Sequence, residues 1–211
     1  MTVGIIDYGI SNVSSVVAAV MRAGQEPVVS ADPDVLNRTE QLILPGVGAF
    51  GDGMKNLIGR GLKEPLDRMV GEERMPILGI CLGAQLMCRD SEESPGTEGF
   101  GWLPASVRRL RPDDSSLRVP HVGWDEFDPI ASAPLFDGVP GDTLFYYVHS
   151  YAIYSEDTSI VSATCDYGGV FAAALRMKNV FATQFHPEKS QLHGLRVIEN
   201  FVTTCPAADA A

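Results

Sequence analysis

The apolar positions of the first ninety residues fall into short runs separated by stretches with helical spacing. "VGIIDY" (3–8) is rich in β-branched residues and ends at a glycine. After Asn12, residues Val13, Val16, Val17, Val20 and Met21 share one helical face, and Gly24 supplies a stop. "EPVVS" (26–30), "QLILP" (41–45) and "MPILGI" (75–80) read as further strands, and helices are expected over 53–59, 62–70 and 82–90. Strands alternating with helices predict βαβ units and a parallel sheet covered on both faces.

The pattern changes after residue 90. "SEESPGTEGFG" (91–101) and "RPDDSS" (111–116) read as loops, and strand-like runs follow at 102–110, 118–127, 143–149, 159–165, 169–176 and 179–185. "MKN" forms a hairpin turn between the last two. From Ser190 onward Leu195, Ile198, Phe201 and Val202 recur at helical spacing, ahead of a frayed tail, 206–211. With no internal repeat and no dividing linker, the expectation is one α/β domain over 1–205, carrying an added β-rich portion in its second half.

Composition narrows the function classes. The chain has 211 residues, 45% hydrophobic and 20% charged, as an ordinary globular protein does. A formal net charge of −11 speaks against a nucleic-acid partner. No basic segment leads into an apolar one at the start, and no apolar run is long enough for a membrane helix. Cys81, Cys88, Cys165 and Cys205 form no CxxC pair, so reduced thiols in a cytoplasmic protein are expected rather than disulfides or a metal site.

"GICLG" (79–83) carries the most chemistry. It has the glycine-x-nucleophile-x-glycine form at the junction of a strand and a helix. So sharp a turn exposes the central side chain and crowds the backbone two residues either side, which calls for glycine there. The Cys81 thiol would lie at a helix N-terminus, where the dipole favours thiolate, and the Leu82 N–H would point at the reaction centre. Alone, the motif leaves open a buried structural cysteine. Cys88, on the same expected helix, reads as packed core, and Cys165 and Cys205 have no motif around them.

A thiol nucleophile needs a base, and the base needs an orienting acceptor. His193 lies among polar neighbours in the last helix, and His121 and His149 have no carboxylate two residues away. His186 has Glu188 at that spacing in "QFHPEKS", with Pro187 fixing the backbone between them. Both follow a strand whose carboxyl end belongs to the sheet edge where Cys81 emerges, and ligands bind at that edge.

"PGVGAFG" (45–51) matches a dinucleotide fingerprint, Gly46-x-Gly48-x-x-Gly51. That fingerprint belongs in the first βα turn, which here is "DYGISN". Pro45 interrupts the passage from the strand, and Asp67, at the spacing of a ribose-binding acid, falls in a helical segment.

Taken in order, "IDYGISN", "LPGVGAFGDGM", "GICLGAQ", "PHVGWD", "FYYVHSY" and "QFHPEKS" resemble the class I (triad) glutamine amidotransferases, in particular the glutaminase subunits that serve imidazole glycerol phosphate synthase. The resemblance implies a three-layer, flavodoxin-like sandwich with a mostly parallel central sheet and a smaller antiparallel portion. It implies glutamine hydrolysis by Cys81, His186 and Glu188 without metal or cofactor. Oxyanion donors would be the backbone N–H groups of Leu82 and of Val47 or Gly48. Gln85 and Glu93 match substrate contacts, Glu93 facing the α-ammonium, and His149, Ser150 and Tyr151 match the segment beside the substrate carboxylate. The implied partner is a TIM-barrel cyclase that receives the ammonia, with Trp124, Tyr146 and Lys189 at the interface. Ser11 stands where the family usually has glycine, and Ala84 where methionine is common. Another glutaminase of the class, or a free-standing γ-glutamyl hydrolase, shares the elbow and the triad.

Overall fold

The computed structural model describes residues 1–10, 12–130 and 133–204; Ser11, Ala131, Ser132, Cys205 and the tail 206–211 lie outside it. The first half follows the expected alternation: β1 (Thr2–Ile6), α1 (Val13–Arg22), β2 (Glu26–Ser30), α2 (Pro33–Leu36), β3 (Gln41–Gly46), α3 (Phe50–Gly59), α4 (Lys63–Asp67), β4 (Ile77–Cys81) and α5 (Leu82–Leu86). Gly24 takes φ +73° just after α1, as a helix stop requires. The four-residue α2 was not expected. Asp32 caps it, accepting from the Asp34 N–H at 2.9 Å, and Pro33 opens it.

The second half supplies β5 (Asp90–Ser91), β6 (Ala105–Arg109), β7 (His121–Glu126), β8 (Asp128–Pro129), β9 (Leu144–His149), β10 (Tyr151–Ser155), β11 (Val161–Asp166), β12 (Val170–Met177), β13 (Val180–Thr183) and the closing α6 (Gln191–Thr204). β12 and β13 form the expected hairpin, with Lys178 at φ +56° in its turn.

Strands β2, β1, β3, β4 and β13 lie side by side and parallel. β12 continues the sheet antiparallel to β13, then β10, β6 and β5. β7 and β9 form a separate antiparallel ribbon. Alternate residues of the parallel strands feed two cores. Val3, Ile5, Ile43, Leu78, Ile80 and Phe181 pack with Val16 and Val20 of α1 and Val197, Ile198 and Phe201 of α6. Leu42, Leu44, Ile77 and Ala182 pack on the other face with Phe50, Met54 and Leu57 of α3 and Leu66 of α4. This is a three-layer α/β sandwich with a mostly parallel sheet, and its added antiparallel portion matches the expected class.

Four expectations are corrected. The helix expected over 82–90 ends at Leu86, because the carbonyls of Leu86, Met87 and Cys88 accept from the Phe100, Leu103 and Gly101 N–H groups instead of continuing the helical ladder. Cys88 is fully buried, but in the turn beyond the helix. Pro45 does not end its strand: β3 runs through Gly46, which pairs with Cys81. The expected helix over 62–70 closes as a π-helical turn at Arg68–Glu72.

Phe181 is buried between the sheet and α6, edge-on to Phe201 at 5.6 Å. Phe181→Ala is expected to lower the unfolding free energy by about 3–5 kcal/mol, read from the midpoint shift in urea.

Candidate active site

β4 stops at Cys81 and α5 starts at the next residue, so the turn between them is as sharp as a chain can make. Cys81 sits at φ +53° and ψ −109°, a strained conformation for a residue with a side chain. The flanking glycines permit it. A Cβ on Gly83 would lie 1.8 Å from the Leu44 carbonyl oxygen, and one on Gly79 would lie 2.8 Å from backbone atoms of Ala84. Ala84, where the family commonly has methionine, is itself fully buried against this glycine. Gly46, paired with Cys81 across β3 and β4, has the Tyr8 hydroxyl 2.2 Å from where its Cβ would be.

His186 follows the end of β13, next to β4 in the sheet. Its N–H donates to the Tyr146 carbonyl at 2.9 Å, and its own carbonyl accepts from Ser190 Oγ at 2.6 Å. Those bonds hang the imidazole from β9 and from the turn before α6. His186 Nδ1 meets Glu188 Oε1 at 2.8 Å, both side chains buried. Burial pulls this imidazole down, but the Cys81 sulfur and Glu188 outweigh it and raise its pKa to about 9. Nε2 is left buried with no hydrogen-bond partner among the described residues.

A cavity of about 460 Å³ brings most of the expected residues together: Val47, Gly48, Cys81, Leu82, Gln85, Glu93, His149, Ser150 and Tyr151, with Tyr146, His186 and Lys189 at one side. Glu188 lies behind His186. Trp124 stands outside the cavity, 44% exposed and edge-on to Tyr146 at 6.0 Å, so it is not a core aromatic. Lys189 Nζ lies 5.8 Å from the centre of the Tyr146 ring. The three interface candidates therefore form one cluster.

The two named oxyanion candidates part company. The Val47 N–H donates to the Ile10 carbonyl at 3.1 Å, so it is engaged by the β1–α1 turn rather than offered to a ligand at Cys81. Gly48 takes φ +98°, a backbone that glycine favours. Glu93 is not merely a solvated loop carboxylate, because its Oε2 accepts the Phe50 N–H at 2.8 Å. His149 Nδ1 bonds the Tyr151 carbonyl at 2.9 Å, which fixes the bend at Ser150, where the chain passes from the β7–β9 ribbon into the main sheet. Tyr151 opens β10, a strand the apolar pattern did not predict, since its runs stop at 149 and resume at 159.

Gln184 was missed. Fully buried, it accepts from Gln85 Nε2 through Oε1 at 3.1 Å and places Nε2 3.9 Å from Cys81 Sγ. Gln85 Nε2 also donates to the Tyr151 carbonyl at 2.8 Å. The signal was a polar side chain two residues before His186, in the mostly apolar run "VFATQF".

His149 and His186 are displaced in opposite directions, so they give stability opposite pH slopes. Burial, then His121, holds His149 down to about 3, against 6.5 for a free imidazole. The unfolded chain takes up that proton first, so stability falls as pH drops from about 6.5 towards 3. His186, raised to about 9, contributes stability that is complete below about 6.5 and is lost as pH climbs through 9. Urea unfolding across pH checks both: His149→Asn should flatten the acid limb and His186→Asn the alkaline limb.

The family model for class-I glutamine amidotransferases matches residues 4–205. The chain is 46% identical to the imidazole glycerol phosphate synthase subunit HisH of Syntrophotalea carbinolica, over 93% of this chain and 97% of that protein. It is 41% identical to subunit HisH 1 of Methanococcus maripaludis, over 95% and 98%. Among solved structures it resembles a glutamine amidotransferase at TM-score 0.71 and 21% identity, over 95% and 96% of the two chains. PurLQS from Thermotoga maritima has the same fold at TM-score 0.73 and 19% identity, over 96% and 98%. With its family model spanning almost the whole sequence and its cysteine on a glycine-flanked elbow beside a His–Glu pair, the chain belongs to the class I glutamine amidotransferases.

Proposed function

We propose that this chain hydrolyses glutamine to glutamate and ammonia through Cys81, His186 and Glu188, and passes the ammonia to a TIM-barrel cyclase. The observation that carries the reading is the strained Cys81 elbow opening into the same cavity as the buried His186–Glu188 pair.

The chemistry runs in two halves. The Cys81 thiol gives its proton to His186 Nε2 as its sulfur bonds to the side-chain amide carbon, and the carbonyl oxygen takes the negative charge. The N–H groups of Leu82 and Gly48 are the donors that meet it. His186 then protonates the departing nitrogen, the C–N bond breaks and ammonia leaves. Water attacks the thioester carbon while His186 takes its proton, and glutamate is released with the thiol restored. Glu188 holds Nδ1 protonated, so that Nε2 carries the moving proton. Glu93 is suited to the substrate ammonium, Gln85 to fixing the Tyr151 carbonyl, and the 149–151 segment to the substrate carboxylate.

Ammonia that reached bulk water would be protonated and useless as a nucleophile, so the product calls for a docked acceptor. The relatives' name, a subunit of imidazole glycerol phosphate synthase, supports a cyclase making imidazole glycerol phosphate and an aminoimidazole carboxamide ribonucleotide. Trp124, Tyr146 and Lys189, clustered beside the cavity, are the surface we assign to it. Residues 1–205 serve as one unit in this reading, and the setting is the cytoplasm.

In the complex with the cyclase, Cys81→Ala and His186→Ala should each lower glutamate release by about 10⁴-fold or more. A coupled glutamate dehydrogenase assay measures this. Near-normal release from Cys81→Ala would overturn the mechanism.

A further inference from the structure

The loop 47–49 between β3 and α3 carries Gly48, and its two ends are tied to different parts of the chain. At the leading end the Val47 N–H is bound to the Ile10 carbonyl. At the trailing end α3 begins after Ala49, whose side chain cannot cap a helix. The orphan donors of the first turn are met from outside. Glu93 Oε2 accepts the Phe50 N–H at 2.8 Å, and Ser94 Oγ accepts the Gly51 N–H at 3.0 Å.

That supporting turn is itself braced. The Ser91 hydroxyl accepts the Glu93 N–H at 3.2 Å, and the Ser94 N–H donates to the Ser91 carbonyl at 3.2 Å. The approach of Ser94 to the helix is close enough to dictate the residue opposite. A Cβ on Gly51 would lie 2.7 Å from Ser94 Oγ and 3.3 Å from Ser94 Cβ. Gly51 therefore makes room for the hydroxyl. Glu93 also lines the cavity that holds Cys81, so one carboxylate faces the ligand space and holds the helix that ends the loop.

We propose that Ser94 is a positioning residue: with Glu93 it clamps the first turn of α3, and so fixes where the Gly48 peptide stands beside Cys81. Ligand engagement at Glu93 then bears on the same clamp. This rests on reading the cavity as the glutamine site. A clamp of this kind acts on the oxyanion-bearing states and little on ground-state binding. It predicts a loss in kcat rather than a rise in KM.

The test uses the full chain in complex with the cyclase. Ser94→Ala should lower kcat for glutamine by about tenfold, less than outright loss of an oxyanion donor, with KM within about twofold. Glutamate γ-semialdehyde is the second probe, since Cys81 adds to its carbonyl carbon to give a tetrahedral adduct that needs the same donors. Its affinity should fall by the same factor, while alkylation of Cys81 by iodoacetamide keeps the wild-type rate. Gly51→Ala strikes the contact from the helix side and should give the same split. The double variant should be no worse than either single one, because both remove one interaction. An unchanged kcat in Ser94→Ala, a loss confined to KM, slowed alkylation, or additive losses in the double variant would each overturn the clamp. Absence of glutamine turnover and of the aldehyde adduct in the wild-type complex would instead overturn the glutamine reading itself.

Discussion

A cysteine at φ +53° and ψ −109° is held there only by surroundings that leave it no alternative, and the arrangement of this molecule follows from holding it. β4 must end abruptly and α5 must begin at once, so Gly83 slides under the Leu44 carbonyl and Gly79 lies against Ala84. That packing sets β4 inside the sheet, with β3 on one side and β13 on the other. The end of β3 then delivers the loop that carries Gly48, and the end of β13 delivers His186. The strain of about 1–3 kcal/mol is carried by two packed cores on which the whole parallel sheet rests.

Charge is distributed around that turn by burial and partner choice. His186 has a buried carboxylate behind it and the Cys81 sulfur in reach, which together favour its charged form. His149 has a backbone carbonyl on one nitrogen and burial around the rest of the ring, so it stays neutral. Two imidazoles on one cavity thus take different protonation states, one suited to exchanging protons and one to fixing the bend at Ser150. His121 belongs with the second kind. Its ring stacks 3.9 Å from that of Tyr167 and its Nε2 meets Asp125 Oδ2 at 3.2 Å.

What could be read from the chain was whatever local sequence enforces. The parallel strands, the elbow glycines and the His-Pro-Glu spacing are short-range patterns, and they stand where expected. The rest depends on contacts between distant segments. The length of α5 is set by N–H groups from 100–103 that capture the carbonyls of Leu86 and of the two residues after it, and nothing in "CLGAQLMCR" records that. Gln184 has its role because the ends of β13, β4 and β10 converge. The resemblance offers the Val47 or the Gly48 N–H to the reaction centre, and only the fold shows that the Ile10 carbonyl, beyond the end of β1, takes that of Val47.

The glycine-rich stretch 45–51 shows why a matching pattern does not imply a matching site. A phosphate loop needs successive N–H groups converging on open space at a helix N-terminus. Here each glycine answers a separate steric demand. Gly46 lets Tyr8 and the turn at Leu82 and Gly83 close in, Gly48 adopts a left-handed backbone, and Gly51 admits the Ser94 hydroxyl. The donors a phosphate would want are already committed: Val47 to Ile10, Phe50 to Glu93 and Gly51 to Ser94. The group at the start of α3 is moreover a carboxylate, so an incoming phosphate would meet like charge as well as occupied donors. The same carboxylate favours a cation at that end of the cavity, as the ammonium of an amino acid is.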